Sequence, residues 1–437
     1  MILQFEFSGF RSFCEPATLD LTSSSLRTNV PRVGRTWVDS SERVAAVFGA
    51  NASGKTTLLN AIWALAVAVR NPGSGVIYQP PSNRNDEDPS SKYRVEFVAH
   101  GVRYRYEVVA RHWGIAREAL YSFPRGSERM LFNRKQEGPD AEVTFEKGRT
   151  LSGPTAEVLK ITPPHTLFMA TALKYGHRIL APVAEVIAAG SGIEKVSFRD
   201  AQDADVVQRV VVEMLAMPEE QADLVSALLQ AGDLGIVGID VRSEEIPQEV
   251  RSQLSRMLEV LREGDEGARV EDIPRITERI SFIHRGENEE TFELSLGNES
   301  AGTLTWLTIA WHALNALKNG GVLLVDELDA SLHAELVRYI VGLFVSPDSN
   351  PHGAQIILTT HDIALLGNAP MRLLEPSNVW FVEKGPGGSS ELYSLDAFDN
   401  RDGNNNERRY MAGKFGAVPD IDDGLLYSYL TAPLVQS

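Results

Sequence analysis

An α/β fold built on a mixed sheet is predicted for this chain by two kinds of sequence pattern. Short apolar runs, at Val44 to Phe48, at Val322 to Val325 and in "AQIILTTHD", stop abruptly at a glycine or at polar residues. Such runs fit strands buried on both faces of a parallel sheet, whose carboxyl ends are where ligands collect. Residues 91–147 instead alternate ("YRVEFV", "VRYRYEVV", "AREALYSF", "EVTFEK") between turn signals such as "AHG" and "RHWG", as an antiparallel β-subdomain does. The 437 residues, 43% of them hydrophobic, suffice for such a core and a further subdomain.

Taken in order, the chain opens with "MILQFEFSGF", which alternates like a strand and lacks the basic-then-apolar layout of a signal peptide. No apolar run approaches the roughly 18 to 20 residues of a membrane span, so no membrane partner is expected. The single cysteine, Cys14, excludes an intrachain disulfide and points to the cytoplasm. A formal charge of −17 and a pI near 5.1 argue against non-specific nucleic-acid binding by the whole surface, while a local basic groove stays open.

After the strand at Val44 to Phe48 comes Gly49-Ala50-Asn51-Ala52-Ser53-Gly54-Lys55-Thr56-Thr57, and a helical pattern resumes at Thr56. This G-x-x-x-x-G-K-T spacing suits a loop whose glycines let backbone N–H groups curl around phosphates. Lys55 is placed for the β- and γ-phosphates of a nucleotide and Thr56 for Mg²⁺. Strand before and helix after are the context the motif requires.

Residues 1–154 therefore read as one lobe carrying this loop and the antiparallel strands. Within them Arg103, Arg105, Arg111 and Arg117 interleave with Tyr104, Tyr106 and Trp113. That mixture can bind nucleic acid, but the alternation reads better as a solvated strand face. Residues 155–285 read as a mainly helical insertion, with segments such as "PQEVRSQLSRMLEVLREG" and no sustained heptads. Residues 286–395 form a second lobe, and 396–437 a tail. "DAFDNRDGNNNERRY" fails as a calcium loop, because the glycine register puts Phe398 and Arg409 at ligand positions.

"LSLGNESAGTLTWLTIAWHALNALK" is an amphipathic helix preceded by Glu299, Ser300, Gly302 and Thr303. Ser300 or Thr303 can be an ordinary N-cap, or the helix end can be aimed at an anion. Farther on, Val322 to Val325 lead into Asp326, a candidate Mg²⁺ ligand, and Glu327, placed to polarise an attacking water. The strand ending in Thr359, Thr360 and His361 makes His361 a candidate γ-phosphate contact.

In this order the motifs resemble the heads of ABC-type ATPases, including the SMC, Rad50 and RecF group and the overcoming-lysogenization-defect nucleases. "GFRSFCEPATLDL", "GANASGKTTLL", "ESAGT", "LLVDELDASLH", "TTHD", "VWFVEK" and "RRYMAGKFGAVPDI" resemble more closely the small bacterial AAA-15/AAA-21 ATPases. The resemblance implies a P-loop NTPase of ABC type that hydrolyses ATP with Mg²⁺. It also implies that Ser300, Gly302 and Thr303 cap ATP bound to a second copy, so that a homodimer or higher homo-oligomer sandwiches nucleotide. Gly9 stands where relatives usually carry Asn, which weakens Arg11 as a nucleotide contact, and Gln79 is the candidate Q-loop residue.

Two function classes follow from the resemblance. One is an ATP-driven sensor or scaffold for a separate effector, a nuclease or toxin of TOPRIM-like kind, in anti-phage defence. The other is a RecF-like clamp that closes on DNA.

Overall fold

The structure is a computed structural model, describing residues 1–83, 89–218, 222–245, 248–249, 252–253, 276–399, 403–419, 424 and 430. Two compact units make up the chain. One comprises Met1–Phe198 with His312–Ser437, and the other Arg199–Trp311.

The larger unit holds two sheets. In the first, seven strands run antiparallel: Ala17–Asp20, Ile2–Ser8, Ser91–Ala99, Val102–Arg111, Gly114–Ser122, Arg129–Lys135 and Thr144–Lys147, in that spatial order. The alternating stretch 91–147 is thus antiparallel, and the N-terminal strands extend the same sheet. Four of its arginines are engaged with carboxylates on their own strand or a neighbouring one. Arg103 and Arg94 pair with Glu96, while Arg105 and Arg117 pair with Glu107 at 2.9 Å, which is the partly solvated ion-paired face the alternation suggested.

The second sheet has six strands in the order Ser390–Ser394, Val379–Lys384, Val44–Phe48, Gln355–Thr359, Val322–Asp326 and Ile193–Ser197. All neighbours are parallel except the outermost hairpin, Val379–Lys384 with Ser390–Ser394. The three apolar runs are its central strands, and every residue of Val44–Phe48, Val322–Asp326 and Gln355–Thr359 is buried. That is the mixed core the sequence pointed to.

The helix Lys55–Arg70 packs on this sheet and on the helix Phe168–Lys174. It is apolar on most faces because it is enclosed on most faces: Leu58, Leu59, Ile62, Leu65 and Val69 are all buried. These residues share one core cluster with Phe5, Phe7, Phe10 and Phe13 of the antiparallel side. Gln355 stitches the two sheets, its side chain accepting from Ile2 N–H (2.6 Å) and donating to the carbonyls of Ile2 (2.8 Å) and Glu42 (2.9 Å).

The smaller unit contains the helices Ala204–Leu215 and Ala222–Ala231 and a three-stranded antiparallel sheet, Ile236–Glu245, Ile276–Arg285 and Thr291–Ser295. Val207, Val210, Val211 and Met214 bury one stripe of the first helix, and Asp203 caps it by accepting from the N–H groups of Asp205 and Val206. The first half of the helix Ala301–Asn319 belongs here, with Trp306 buried and its Nε1–H donating to Leu228 O (3.0 Å).

The segment 155–285 differs from the mainly helical reading in two ways. Helices Thr155–Lys160, Phe168–Lys174 and Leu180–Glu185 and strand Ile193–Ser197 fall in the larger unit. Residues 236–245 and 276–285 pair as strands, because "IVGIDV" and "ERISFIH" alternate with period two and are rich in β-branched residues. Apart from 248–249 and 252–253, the segment 247–264 lies outside the described residues, as does much of the tail.

Candidate functional site

The loop between strand Val44–Phe48 and helix Lys55–Arg70 forms one wall of a cavity of about 250 Å³. Its lining joins Asn51, Ala52, Ser53, Gly54, Lys55, Thr56 and Thr57 to Glu327 and His361, and adds Arg11, Ser12 and Lys384. Residues from five distant stretches of sequence thus converge, four of them at the carboxyl ends of adjacent strands, where an α/β sheet places its ligand.

The loop takes its shape from left-handed backbone at Ala52 (φ 60°) and Gly54 (φ 121°), the kind of turn from which anion nests are built. A Cβ on Gly54 would lie 2.6 Å from Ser390 Oγ and 3.2 Å from Ser12 Oγ, so glycine is needed for space as well as conformation. Ser390 Oγ in turn bonds the Ser53 carbonyl (2.5 Å) and Ser12 Oγ (2.8 Å), buttressing the loop from the outer hairpin. Ser53 Oγ is buried and has no hydrogen-bond partner among the described residues, which leaves it able to bond a phosphate oxygen.

Lys55 is buried and its Nζ donates to the loop's own carbonyls, Gly49 O (2.9 Å) and Ala50 O (3.1 Å). Burial lowers its pKa from the ordinary lysine value, while Asp326, Glu327 and Asp329 pull it back up. Among the described residues no carboxylate forms an ion pair with this ammonium, which lies over the loop's own carbonyls.

Across the cavity, Thr56 Oγ1 donates to Asp326 Oδ1 (3.1 Å), and Thr359 Oγ1 donates to the same oxygen (2.7 Å). Glu327 follows in a left-handed conformation (φ 57°), exposed, with its N–H donating to Thr359 Oγ1 (2.8 Å). Its carboxylate is thereby turned toward the cavity, while that of Asp326 stays buried in the sheet. Both oxygens of Asp329 accept from the His361 N–H (3.1 and 3.2 Å). His361 is lowered below its usual pKa by burial and by Lys55, with Asp329 and Glu327 opposing.

The pair Thr56 and Asp326 offers two hard oxygen donors 3.1 Å apart, close enough to serve as neighbouring ligands of one Mg²⁺ ion. Among the described residues no group of three or more His, Cys, Asp or Glu could hold a metal ion, so phosphate and water would complete the shell. Chemically, then, the cavity offers a phosphate cradle, a hydroxyl–carboxylate metal pair and a solvent-reachable carboxylate.

A cavity of about 580 Å³ lies at the opposite, amino-terminal end of strand Val44–Phe48, lined by Asp20, Glu42, Glu375 and Asp396 with Trp380. Size alone would favour it. Glu42 there is raised above its usual pKa by burial first and by Asp396 and Glu375 after it, and this negative lining would repel a triphosphate, so the smaller cavity is the better site.

Sequence reading discounted Arg11 and left out Lys384, yet both line the cavity. Lys384 ends the strand paired with Val44–Phe48, so the rule that strand carboxyl ends face the ligand could have found it. Gln79 Oε1 accepts from Arg11 Nε (2.7 Å), reaching the cavity's edge through that arginine. Ser300, Gly302 and Thr303 belong to the smaller unit. Ser300 is exposed, and its Oγ accepts from the Thr303 N–H (3.1 Å), an N-cap contact. Just before it, Glu299 bonds His284 Nε2 at 2.5 Å.

The profile of the family described as "AAA domain, putative AbiEii toxin, Type IV TA system" matches residues 44–167 and 213–367. No curated protein sequence matches the chain. Among solved structures, the SMC head domain from Thermotoga maritima is similar at 12% identity with a TM-score of 0.40, covering 90% of this chain and 98% of that one.

Proposed function

The chain belongs to the AAA-21 family of AAA domains, and from that premise we propose that it is an ATP hydrolase whose heads pair around nucleotide and govern a separate effector protein. The observation that carries the reading is the convergence of Lys55, Thr56, Glu327 and His361 on one cavity. Lys55 exchanges the Gly49 and Ala50 carbonyls for the β- and γ-phosphates, and the loop N–H groups take the remaining oxygens. Thr56 and Asp326 would hold Mg²⁺, which would supply positive charge against the charge of the phosphates. Glu327 accepts a proton from water as its oxygen attacks the γ-phosphorus, the bond to the β-phosphate oxygen breaks, and ADP and phosphate leave. His361, neutral near pH 7, hydrogen-bonds the γ-phosphate.

Ser300, Gly302 and Thr303 serve the ATP of a second copy. Their support is the exposed helix start, with small residues that let N–H groups approach a phosphate. The family's description names a toxin of a Type IV TA system, which supports a second protein component, while the role in anti-phage defence is what the sequence resemblance implies. Among the described residues no helix is long and apolar enough to cross a membrane. The DNA-clamp alternative draws no support from the arginine face, whose guanidiniums are engaged by Glu96 and Glu107.

Mixing two inactive variants tests the pairing. Lys55→Ala alone should abolish turnover, and Ser300→Arg should still bind ATP but neither associate nor hydrolyse. A mixed dimer keeps one composite site intact, so activity should return on combining them. Normal hydrolysis by Lys55→Ala would overturn the phosphate cradle, and by Ser300→Arg the paired-head reading.

A further inference from the structure

Thr359 closes strand Gln355–Thr359, fully buried, two positions before the histidine that marks the site in sequence. Its hydroxyl accepts from the Glu327 N–H at 2.8 Å and donates to Asp326 Oδ1 at 2.7 Å. The oxygen it reaches is the one that also receives the Thr56 hydroxyl. A single side-chain hydroxyl, with one proton and two lone pairs, therefore joins the carboxylate on the metal side to the backbone of the base. Glu327 needs such a hold, because φ of 57° is a region that residues with a Cβ avoid. Thr359 is itself fixed: its carbonyl accepts from Leu328 N–H (3.1 Å), and the next N–H, of Thr360, donates to Val47 O (3.2 Å).

We propose that Thr359 is a positioning residue of the hydrolytic site, its hydroxyl orienting Asp326 toward the divalent ion and holding Glu327 in the left-handed conformation that carries its carboxylate to the cavity. The inference rests on the hydrolase reading above. Valine at this position would fill nearly the same space while leaving the Glu327 N–H without its acceptor and Asp326 Oδ1 with Thr56 alone. A residue that merely packs would not change the ion requirement of the folded protein, whereas a positioning residue would.

The test compares full-length wild type, Thr359→Val and Thr359→Ser by three measurements: kcat for ATP, calorimetric titration of Mg²⁺ into the protein–ADP complex, and the melting midpoint. Thr359→Val should lower kcat by at least about tenfold, the scale of one hydrogen bond to a charged group. It should also weaken Mg²⁺ binding by roughly fivefold or more, with metal-free ADP affinity held within about twofold. Serine, which restores the hydroxyl, should recover both to within about threefold. The proposal is overturned if the folded valine variant keeps kcat and Mg²⁺ affinity within about twofold of wild type, or if serine fails to rescue. Should the wild type hydrolyse no ATP, the hydrolase reading fails separately, and the Mg²⁺ titration still decides the part of Thr359. If valine does not fold, Thr359→Cys, similar in size and a poor hydrogen bonder, is judged by the same outcomes.

Discussion

Replacing Glu327 separates the chemistry of the site from its conformation. The carboxylate is exposed, while the backbone is held left-handed by Thr359 and followed by the buried Leu328. Glutamine keeps the shape and the Cβ, so folding should be unchanged and Asp326 should still face Thr56. What disappears is the proton acceptor. General bases contribute about 10²- to 10⁴-fold, so kcat should fall by that factor, equivalent to roughly 3–5 kcal/mol on the barrier. Phosphate release in steady state measures it. Size-exclusion chromatography with light scattering should find ATP-bound pairs accumulating, since closure no longer ends in hydrolysis. Glycine at the same position makes a complementary case. It loses the carboxylate but relieves the left-handed strain of about 1–2 kcal/mol, offset in part by its greater freedom when unfolded, for a net gain of about 0.5–1 kcal/mol in urea denaturation. Glu327→Gln that fails to bind Mg²⁺ and ATP would show the residue to be a metal ligand. Near-normal turnover in either variant would refute the assignment of the base.

Two further outcomes follow from the same geometry. His361 is held below its ordinary value of 6.5, so the unfolded chain takes up this proton at higher pH than the folded one. Its contribution to stability is therefore present above pH 6.5 and lost as pH falls. The His361 limb of kcat/KM, which reports the free enzyme, should lie below pH 6.5, and a limb above that value that vanishes in His361→Gln would contradict the assignment. Gly9 has φ 63°, and a Cβ there would fall 2.0 Å from the Ser90 carbonyl oxygen, which is backbone and cannot swing aside. Gly9→Ala should cost roughly 2–4 kcal/mol in urea denaturation, and an unchanged midpoint would show that the loop relaxes freely.

The sequence disclosed those parts of the site that local physics dictates. The glycine-lysine-threonine loop needs particular residue types at fixed spacing, and buried parallel strands need unbroken apolar runs, so Lys55, Thr56, Asp326 and Glu327 were readable without coordinates. Arg11 and Lys384 were not, because their place depends on which strand lies beside Val44–Phe48. A parallel neighbour is chosen by long-range packing, and nothing in "VWFVEK" names its partner. The strands at 236–245 and 276–285 show a different failing, since their alternation was present but was outweighed by the helical segments around them. In the sequence Thr359 is only the approach to His361. Its role emerges only when two strands are laid side by side in register, Val325 opposite Leu358.

Because Lys55 and Thr56 already hold partners within the site, while Ser53 Oγ holds none among the described residues, binding nucleotide is largely an exchange of partners. Lys55 gives up two carbonyls, and the Thr56 hydroxyl gives up the oxygen of Asp326 it now holds. Affinity then reflects the difference between phosphate contacts and these internal bonds, not the sum of new contacts. The same reasoning limits what loss of activity at Asp326 can mean. That carboxylate accepts from Thr56 and, at buried positions, from Thr359, which also holds the Glu327 N–H. Removing it would leave the Thr359 hydroxyl without its acceptor inside the sheet and loosen the base as well as the metal site. An inactive Asp326→Ala protein would therefore combine lost ion binding with a displaced Glu327. Asp326→Asn, which keeps an acceptor oxygen for the two threonines but removes the charge, isolates the part that belongs to the ion.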